Sequence, residues 1–347
     1  MLPSRVGALL VCGLAALTSL ASAQARPEAL WYATSSEESV QAFIAHADRI
    51  SIVSPQVFFV DSTGTIWGSI DRRLVETARA KGVKIIPLVM NPGFDQPTMH
   101  RILTHPDARK RTIRSITALC RDNRFDGIQF DFENIHIQDR DAFTAFSREM
   151  ADSLHAVRCS LSAAVVPRSS DLAGQTPYHA WIFDNWRGAY DYKALADAMD
   201  FLSYMTYAQH TGGSTPGPVA GYTWMERGLK FVLAQGVPPQ KISLGVAAYS
   251  DWWYPTFDAK TGPRTTGRDV SYRTAMGVLA RSSITPTWDE RQKNYYALWD
   301  EDGVNQLVFV EDARSFNEKV ALVKQYGLRG YSVWVLGLED PAVWERR

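Results

Sequence analysis

An α/β fold, a closed (β/α)8 TIM barrel, is the class this sequence predicts, and two observations predict it. Eight apolar, strand-like runs recur along the chain, with helix-like stretches between them. The runs start 23 to 42 residues apart until the last interval, which is 87. Strand, helix and strand joined by short links imply parallel pairing, and eight such units suggest closure. A doubly wound open sheet is the other arrangement that this alternation allows.

Taken in order, the first segment stands outside the fold. Met1 to Ala23 carries one basic residue, Arg5, an apolar run from Val6 to Leu20, and then Ala21, Ser22 and Ala23. That is the pattern of a secretory signal, and its apolar run is too short to span a bilayer comfortably. The expectation is a signal peptide over 1–23, no membrane anchor after its cleavage, and a chain exported to the periplasm or the medium. The barrel then occupies 24–347.

The strand runs begin near Glu28, Ser51, Val83, Phe125, Ser160, Asp200, Lys241 and Leu328. Between them, the segment from Arg72 ends on Gly82 in C-cap position. Two further stretches, 108–123 and 140–157, place apolar residues three and four apart, as amphipathic helices do. The long last interval holds more chain than one helix needs. Its Gly/Pro turns and short strand-like pieces predict a small α+β insertion between strands 7 and 8, at about 252–311.

Composition narrows the function. The chain has 347 residues, 37 Lys+Arg against 37 Asp+Glu, and 46% hydrophobic residues, which is globular. Balanced charge gives no long-range attraction to nucleic acid or anionic membrane. Eleven Trp, 14 Tyr and 15 Phe are rich for this length, and indoles beyond core needs line grooves where flat apolar faces stack. Cys12 lies in the signal, leaving Cys120 and Cys159. These two sit on adjacent βα units at the N-terminal floor of the barrel, where an oxidising compartment would join them. The His residues lack metal-site spacing and there is no G-x-S-x-G elbow, so neither metal nor cofactor is expected and a metal-dependent deacetylase is disfavoured.

The fourth strand run carries the chemistry. Ile128, Phe130 and Phe132 share one face, while Gly127, Gln129, Asp131 and Glu133 share the other. Barrel interiors are ordinarily branched and apolar, and their active sites lie at the C-terminal strand ends. A row of polar groups there is costly unless used. Asp131 and Glu133, two apart on a strand, have Cα atoms roughly 6.5–7 Å apart. A buried pair that close holds a proton near neutral pH, as protonation of a leaving group requires. Helix capping or cation binding is the bland alternative. On the sixth strand Ser203, Met205 and Tyr207 share a face, which puts Tyr207 in the barrel mouth. On the eighth, Gly330, Ser332, Trp334 and Leu336 share one, with the Trp334 indole a suitable floor for a sugar ring. No third carboxylate is evident at a facing strand end.

These residues resemble glycoside hydrolase family 18, the chitinases and related β-N-acetylglucosaminidases. Asp126, Gln129, Asp131 and Glu133 occupy the four acidic positions of its DxxDxDxE signature, with Gln129 the one departure. The resemblance extends to Met-Thr-Tyr at 205–207 and to Trp334. Together with Arg109, Ile113 and Ile116 ahead of the signature, the segment around Trp334 looks most like the spore-cortex-lytic, peptidoglycan-active branch. The resemblance implies Glu133 as general acid and then base. It implies Asp131 and Tyr207 as the catalytic groups that orient the substrate's acetamido group, and Trp334 as the floor. Gln129, Met205 and Tyr32 complete the substrate-binding set. Hydrolysis would be substrate-assisted and retaining, on a polymer of β-linked N-acetylglucosamine, by a monomer. Ala208 stands where many members carry Asp, so one substrate-binding hydrogen bond is either missing or supplied by Gln209 or His210. A weakly active or inactive sugar-binding barrel is the alternative.

Overall fold

The computed structural model describes residues 27–345, so the expected signal segment lies outside the described residues. Eight strands run parallel around a closed ring: β1 (Glu28–Ala33), β2 (Ile52–Val60), β3 (Lys84–Ile85 and Leu88–Met90), β4 (Gly127–Asp131), β5 (Ser160–Val165), β6 (Phe201–Tyr204), β7 (Ile242–Ala247) and β8 (Gly330–Trp334). Closure is made by β1, which pairs with β2 on one side and β8 on the other. All eight strands expected from the sequence are present, and the fold is a (β/α)8 barrel. Pro87, which has no N–H to give a ladder, falls in the break of β3.

The helices follow their sequence signals. Arg72–Lys81 is capped at its start by Asp71, which accepts from the Arg73 amide, and ends at Gly82 in the left-handed region (φ 68°). Pro106–Asn123 and Arg140–Ala156 bury one stripe each. The outward faces of the strands meet those stripes in the main core. Phe130 of β4 stacks on Phe132 and on Phe146 of the helix that follows, at 4.5 and 5.7 Å between ring centres. Cys120 lies in the last turn of the helix Pro106–Asn123 and Cys159 precedes β5. They are joined as a disulfide, with Cα atoms 6.5 Å apart and a sequence separation of 39.

Inside the ring the core divides into layers. Leu30, Ile52, Ile86, Leu88 and Phe201 make an apolar layer. Beside them lies a hydroxyl layer where branched apolar side chains were expected: Ser162, Ser203, Ser243 and Ser332 are all buried. Ser203 lies 2.8 Å from Ser332, and Ser332 lies 2.5 Å from Ser243. These hydroxyls satisfy one another and the amide of Gln129, so a polar layer persists without water contact.

Between β7 and β8 the chain builds a second, five-stranded antiparallel sheet. Its order is Gly262–Val270, Ser250–Asp258, Val304–Val310, Asn294–Glu301 and Thr287–Asp289. The helix Tyr272–Arg281 packs on it through Ala275, Val278 and Leu279, against Ala297, Trp299, Val308 and Val310. This unit therefore has a small core of its own, and its first strand starts only three positions after β7 ends.

One face assignment fails. Leu336 was expected to continue the inward face of Trp334. It packs instead in the core between strands and helices, and Val335 takes the inward place. The strand ends at Trp334, and two-residue alternation carries no information past a strand's end.

Candidate active site

A cavity of about 260 Å³ opens at the C-terminal mouth of the barrel, on the scale of one sugar ring. Its wall includes Asp131, Glu133, Tyr207, Trp334, Met205 and Tyr32, drawn from four barrel strands and the segments just beyond them. Strand ends supply these groups because their backbones are held by the closed ladder, which fixes side-chain direction better than a loop does.

Asp131 is the last residue of β4 and is 5% exposed. Its Oδ1 is buried with no hydrogen-bond partner among the described residues. Burial pushes this carboxyl up to about 7. Glu133 follows just past the strand, half-buried. Burial first, and then the neighbouring charge of Asp131, hold it well above the ordinary carboxylate range. Like charges in one dry site cannot both ionise near neutral pH. Glu133 therefore retains a proton that it can give away.

Two features hold Glu133 in place. The side chain of Asn91, just past β3, clamps its backbone: Oδ1 accepts from the Glu133 amide at 3.2 Å, and Nδ2 donates to its carbonyl at 3.0 Å. Asn134 then takes a left-handed conformation (φ 54°), which Asn tolerates better than most residues, and donates to the Phe94 carbonyl at 3.0 Å. The chain thus turns sharply away from the mouth directly after the acid.

Tyr207 and Met205 come from the segment beyond β6. The Tyr207 phenol is pushed well up, chiefly by burial and then by Tyr32 and Asp131, so it stays a protonated donor. Trp334 ends β8, half-buried, with its ring 5.5 Å from that of Tyr32.

Gln129 does not reach the cavity wall. It is fully buried one layer deeper, where its Oε1 accepts from Tyr32 and its Nε2 donates to Ser162 and Ser203 at 3.0 and 3.1 Å. Two residues nearer the strand's N-terminus than Asp131, it supports the site from below.

Of the alternatives at Ala208, neither side chain that could make good the hydrogen bond is turned to the cavity. Gln209 turns away, accepting from the Gly221 amide at 2.8 Å, and His210 contacts the Thr215 carbonyl at 2.9 Å. Neither lines the cavity. A third carboxylate does: Asp269 reaches it from the inserted sheet, beside Tyr249 and Ala208. It comes from a hairpin and not from a barrel strand end, so inspection of strand ends misses it. Phe94, from the segment after β3, and Tyr249, from the link between β7 and the inserted sheet, are further wall residues outside the expected set. Among the described residues, no group of three His, Cys, Asp or Glu side chains could hold a metal ion.

Chemically, this arrangement presents a proton donor, an unpartnered carboxylate and a phenol around a cavity with an indole in its wall. Comparison with known proteins gives the family. The family described as glycosyl hydrolases family 18 matches residues 40–339. The cortical fragment-lytic enzyme of Bacillus subtilis is 29% identical over 275 residues, covering 79% of this chain and 61% of that enzyme. Among solved structures, the spore cortex-lytic enzyme SleL of Bacillus cereus superposes with a TM-score of 0.81 at 25% identity, covering 92% of this chain and 72% of that one. A chitinase from Chromobacterium violaceum gives 0.79 at 26% identity, covering 92% and 96%.

Proposed function

Because the chain belongs to glycosyl hydrolases family 18 and is a glycosidase, we propose that it cleaves β-linked N-acetylglucosamine polymers of the peptidoglycan or chitin type, with retention and with Glu133 as acid and base. The observation that carries this reading is the Asp131–Glu133 pair at the cavity, one carboxyl holding a proton and the other presenting a buried, unpartnered oxygen.

In the first step Glu133 gives its proton to the glycosidic oxygen as the bond from that oxygen to the anomeric carbon breaks. The electron pair goes to the leaving sugar. The acetamido oxygen of the sugar in the cavity forms the new bond to the anomeric carbon, making a cyclic oxazolinium. Asp131 Oδ1 accepts from the acetamido N–H, and the Tyr207 hydroxyl holds the same group, so the internal nucleophile is pre-positioned. In the second step Glu133, now a carboxylate, takes a proton from water. The water oxygen bonds to the anomeric carbon and the acetamido group is restored. Two displacements give retention.

Ordinary retaining glycosidases use an enzyme carboxylate about 5–5.5 Å from the acid, and family 18 is an exception that uses the substrate. Asp269 is the one further carboxylate of the cavity wall, and it sits at an open rim, on the inserted sheet directly opposite Asp251. The relatives named for cortex lysis and chitin cleavage support the choice of polymer, and the leader-like segment over 1–23 supports export to where such polymers lie.

The test is turnover of matched chito-oligosaccharides. Fully N-acetylated oligomers are hydrolysed, deacetylated ones are inert, and Glu133→Gln binds without turnover. Equal cleavage of both oligomers, or a sugar ester trapped on Asp269 or Asp131, overturns the mechanism. Binding by the wild-type protein without any turnover favours a sugar-binding barrel.

A further inference from the structure

The inserted sheet holds a pair of acids, one of them at the cavity, that the cleavage scheme above leaves unused. Asp251 and Asp269 are directly opposed in the antiparallel register of strands Ser250–Asp258 and Gly262–Val270. Asp251 is 2% exposed, and its Oδ2 is buried. Asp269 is open at the rim and lines the cavity. Beneath them lies Glu311, also buried, whose Oε2 accepts from Ser315 at 2.6 Å and from Lys319.

Charge counting decides how this cluster is held. Lys319 is buried and is committed to Glu311. Neither Asp251 nor Asp269 forms an ion pair among the described residues. A buried carboxylate without a counter-charge is costly, so the buried member keeps a proton and the rim member carries the charge. Burial, then the Asp269 charge, pushes Asp251 up to about 8, in accord with that division. A protonated Asp251, directly opposite in the ladder, is placed to donate to Asp269 and orient it. Asp269 lines the cavity together with Ala208, which offers only a methyl group.

We propose that Asp269 is a substrate-binding residue of this glycosidase, a carboxylate oriented by the Asp251 carboxyl to accept a hydrogen bond from a hydroxyl of the sugar seated at Trp334. Asp251 is the positioning residue behind it. The insertion therefore completes the sugar site that the barrel alone leaves open beside Ala208. The inference rests on the glycosidase reading for its ligand, an N-acetylglucosamine oligomer, but makes a separate prediction about binding.

The test is calorimetric binding of tetra-N-acetylchitotetraose in the Glu133→Gln background, which yields an affinity whether or not the wild-type protein turns over. Loss of a hydrogen bond to a charged group predicts that Asp269→Ala weakens binding about ten- to hundred-fold. Asp269→Asn keeps an acceptor oxygen and recovers part of the loss. Asp251→Asn still donates to Asp269 and binds better than Asp251→Ala. Asp269→Ala with unchanged affinity overturns the proposal, as does failure of the oligomer to bind at all. So does a fall in melting temperature that explains every loss, with no advantage for the Asn variants. Failure of the cleavage mechanism would show instead as equal turnover of acetylated and deacetylated oligomers, which this binding series does not measure.

Discussion

Tyr32 on β1 donates its phenolic proton to Gln129 Oε1 on β4, at 2.7 Å, across the interior of the barrel. A neutral amide suits this layer. Its oxygen takes the phenol, and its nitrogen gives two hydrogen bonds to Ser162 and Ser203. An acid here could offer no such donors when ionised and would add a charge beneath Asp131.

Gln129→Leu should therefore destabilise the protein while changing the cavity wall little. It strands the Tyr32 hydroxyl and removes the donor to two buried serines, and each unsatisfied group costs about 1–3 kcal/mol. Denaturant unfolding monitored by Trp fluorescence checks this. A midpoint equal to that of the wild type would mean that the layer rearranges at no cost.

The acid pair makes stability depend on pH in a direction that can be worked out. Asp131 is raised from 3.8 to about 7, and Glu133 is raised as well. Between those values the folded protein binds more protons than the unfolded chain. Stability then falls as pH rises through that window, the reverse of a salt-bridged carboxylate. Asp251, raised to about 8, acts with the same sign. Asp131→Asn should flatten the dependence of melting temperature on pH between about 4 and 7, and should melt higher than wild type at pH 7. A steeper profile, or a variant less stable at pH 7, would contradict this.

Activity adds a second readout of the same pair. Hydrolysis requires protonated Glu133, so kcat/KM falls as pH climbs past its raised value. Removing the Asp131 charge lowers that value. The residual activity of Asp131→Asn should lose its alkaline limb at lower pH than the wild type, by chromogenic assay across pH 5 to about 9.

Asp131, Glu133 and Trp334 were legible in the sequence because strand alternation and position at a strand end are local properties. Gln129 was placed on the correct face, but depth along a barrel axis is not local. Two residues along one strand separate a wall group from a buried support. Leu336 was misplaced for a related reason, since β8 stops at Trp334. Asp269 was not found because its partner strand, not its own neighbours, brings it to the cavity. A signal existed: the turn between Asp258 and Gly262 fixes the hairpin register, and that register sets Asp251 opposite Asp269. Likewise, Gln209 could not be discounted without knowing that the Gly221 amide would claim it.

The Cys120–Cys159 disulfide closes a loop with a sequence separation of 39 at the barrel's N-terminal floor, far from the cavity. Constraining the unfolded chain over that length contributes about 3–4 kcal/mol in the chain-entropy model. Cys120→Ala/Cys159→Ala should melt several degrees lower, with specific activity at 25 °C close to wild type. Two free thiols in non-reduced, alkylated protein would show that the bridge does not form.

Trp334 separates a sugar platform from a core aromatic. It packs against Tyr32, so part of its surface is committed to the fold, but it is only half-buried and its remaining surface lies in the cavity wall. If that surface stacks on the sugar, Trp334→Ala loses about 1–3 kcal/mol of binding, taking sugar–indole contact as comparable to base–aromatic stacking. That corresponds to a fall in kcat/KM of about five- to 150-fold. Trp334→Phe keeps a smaller flat face and should lie between. Melting temperatures decide whether the loss comes from the site. A small shift for Trp334→Ala with a large fall in kcat/KM marks the indole as the platform. A large shift, with wild-type kcat/KM per folded molecule, would mark Trp334 as core and leave the acids without a floor to hold the ring beneath Glu133.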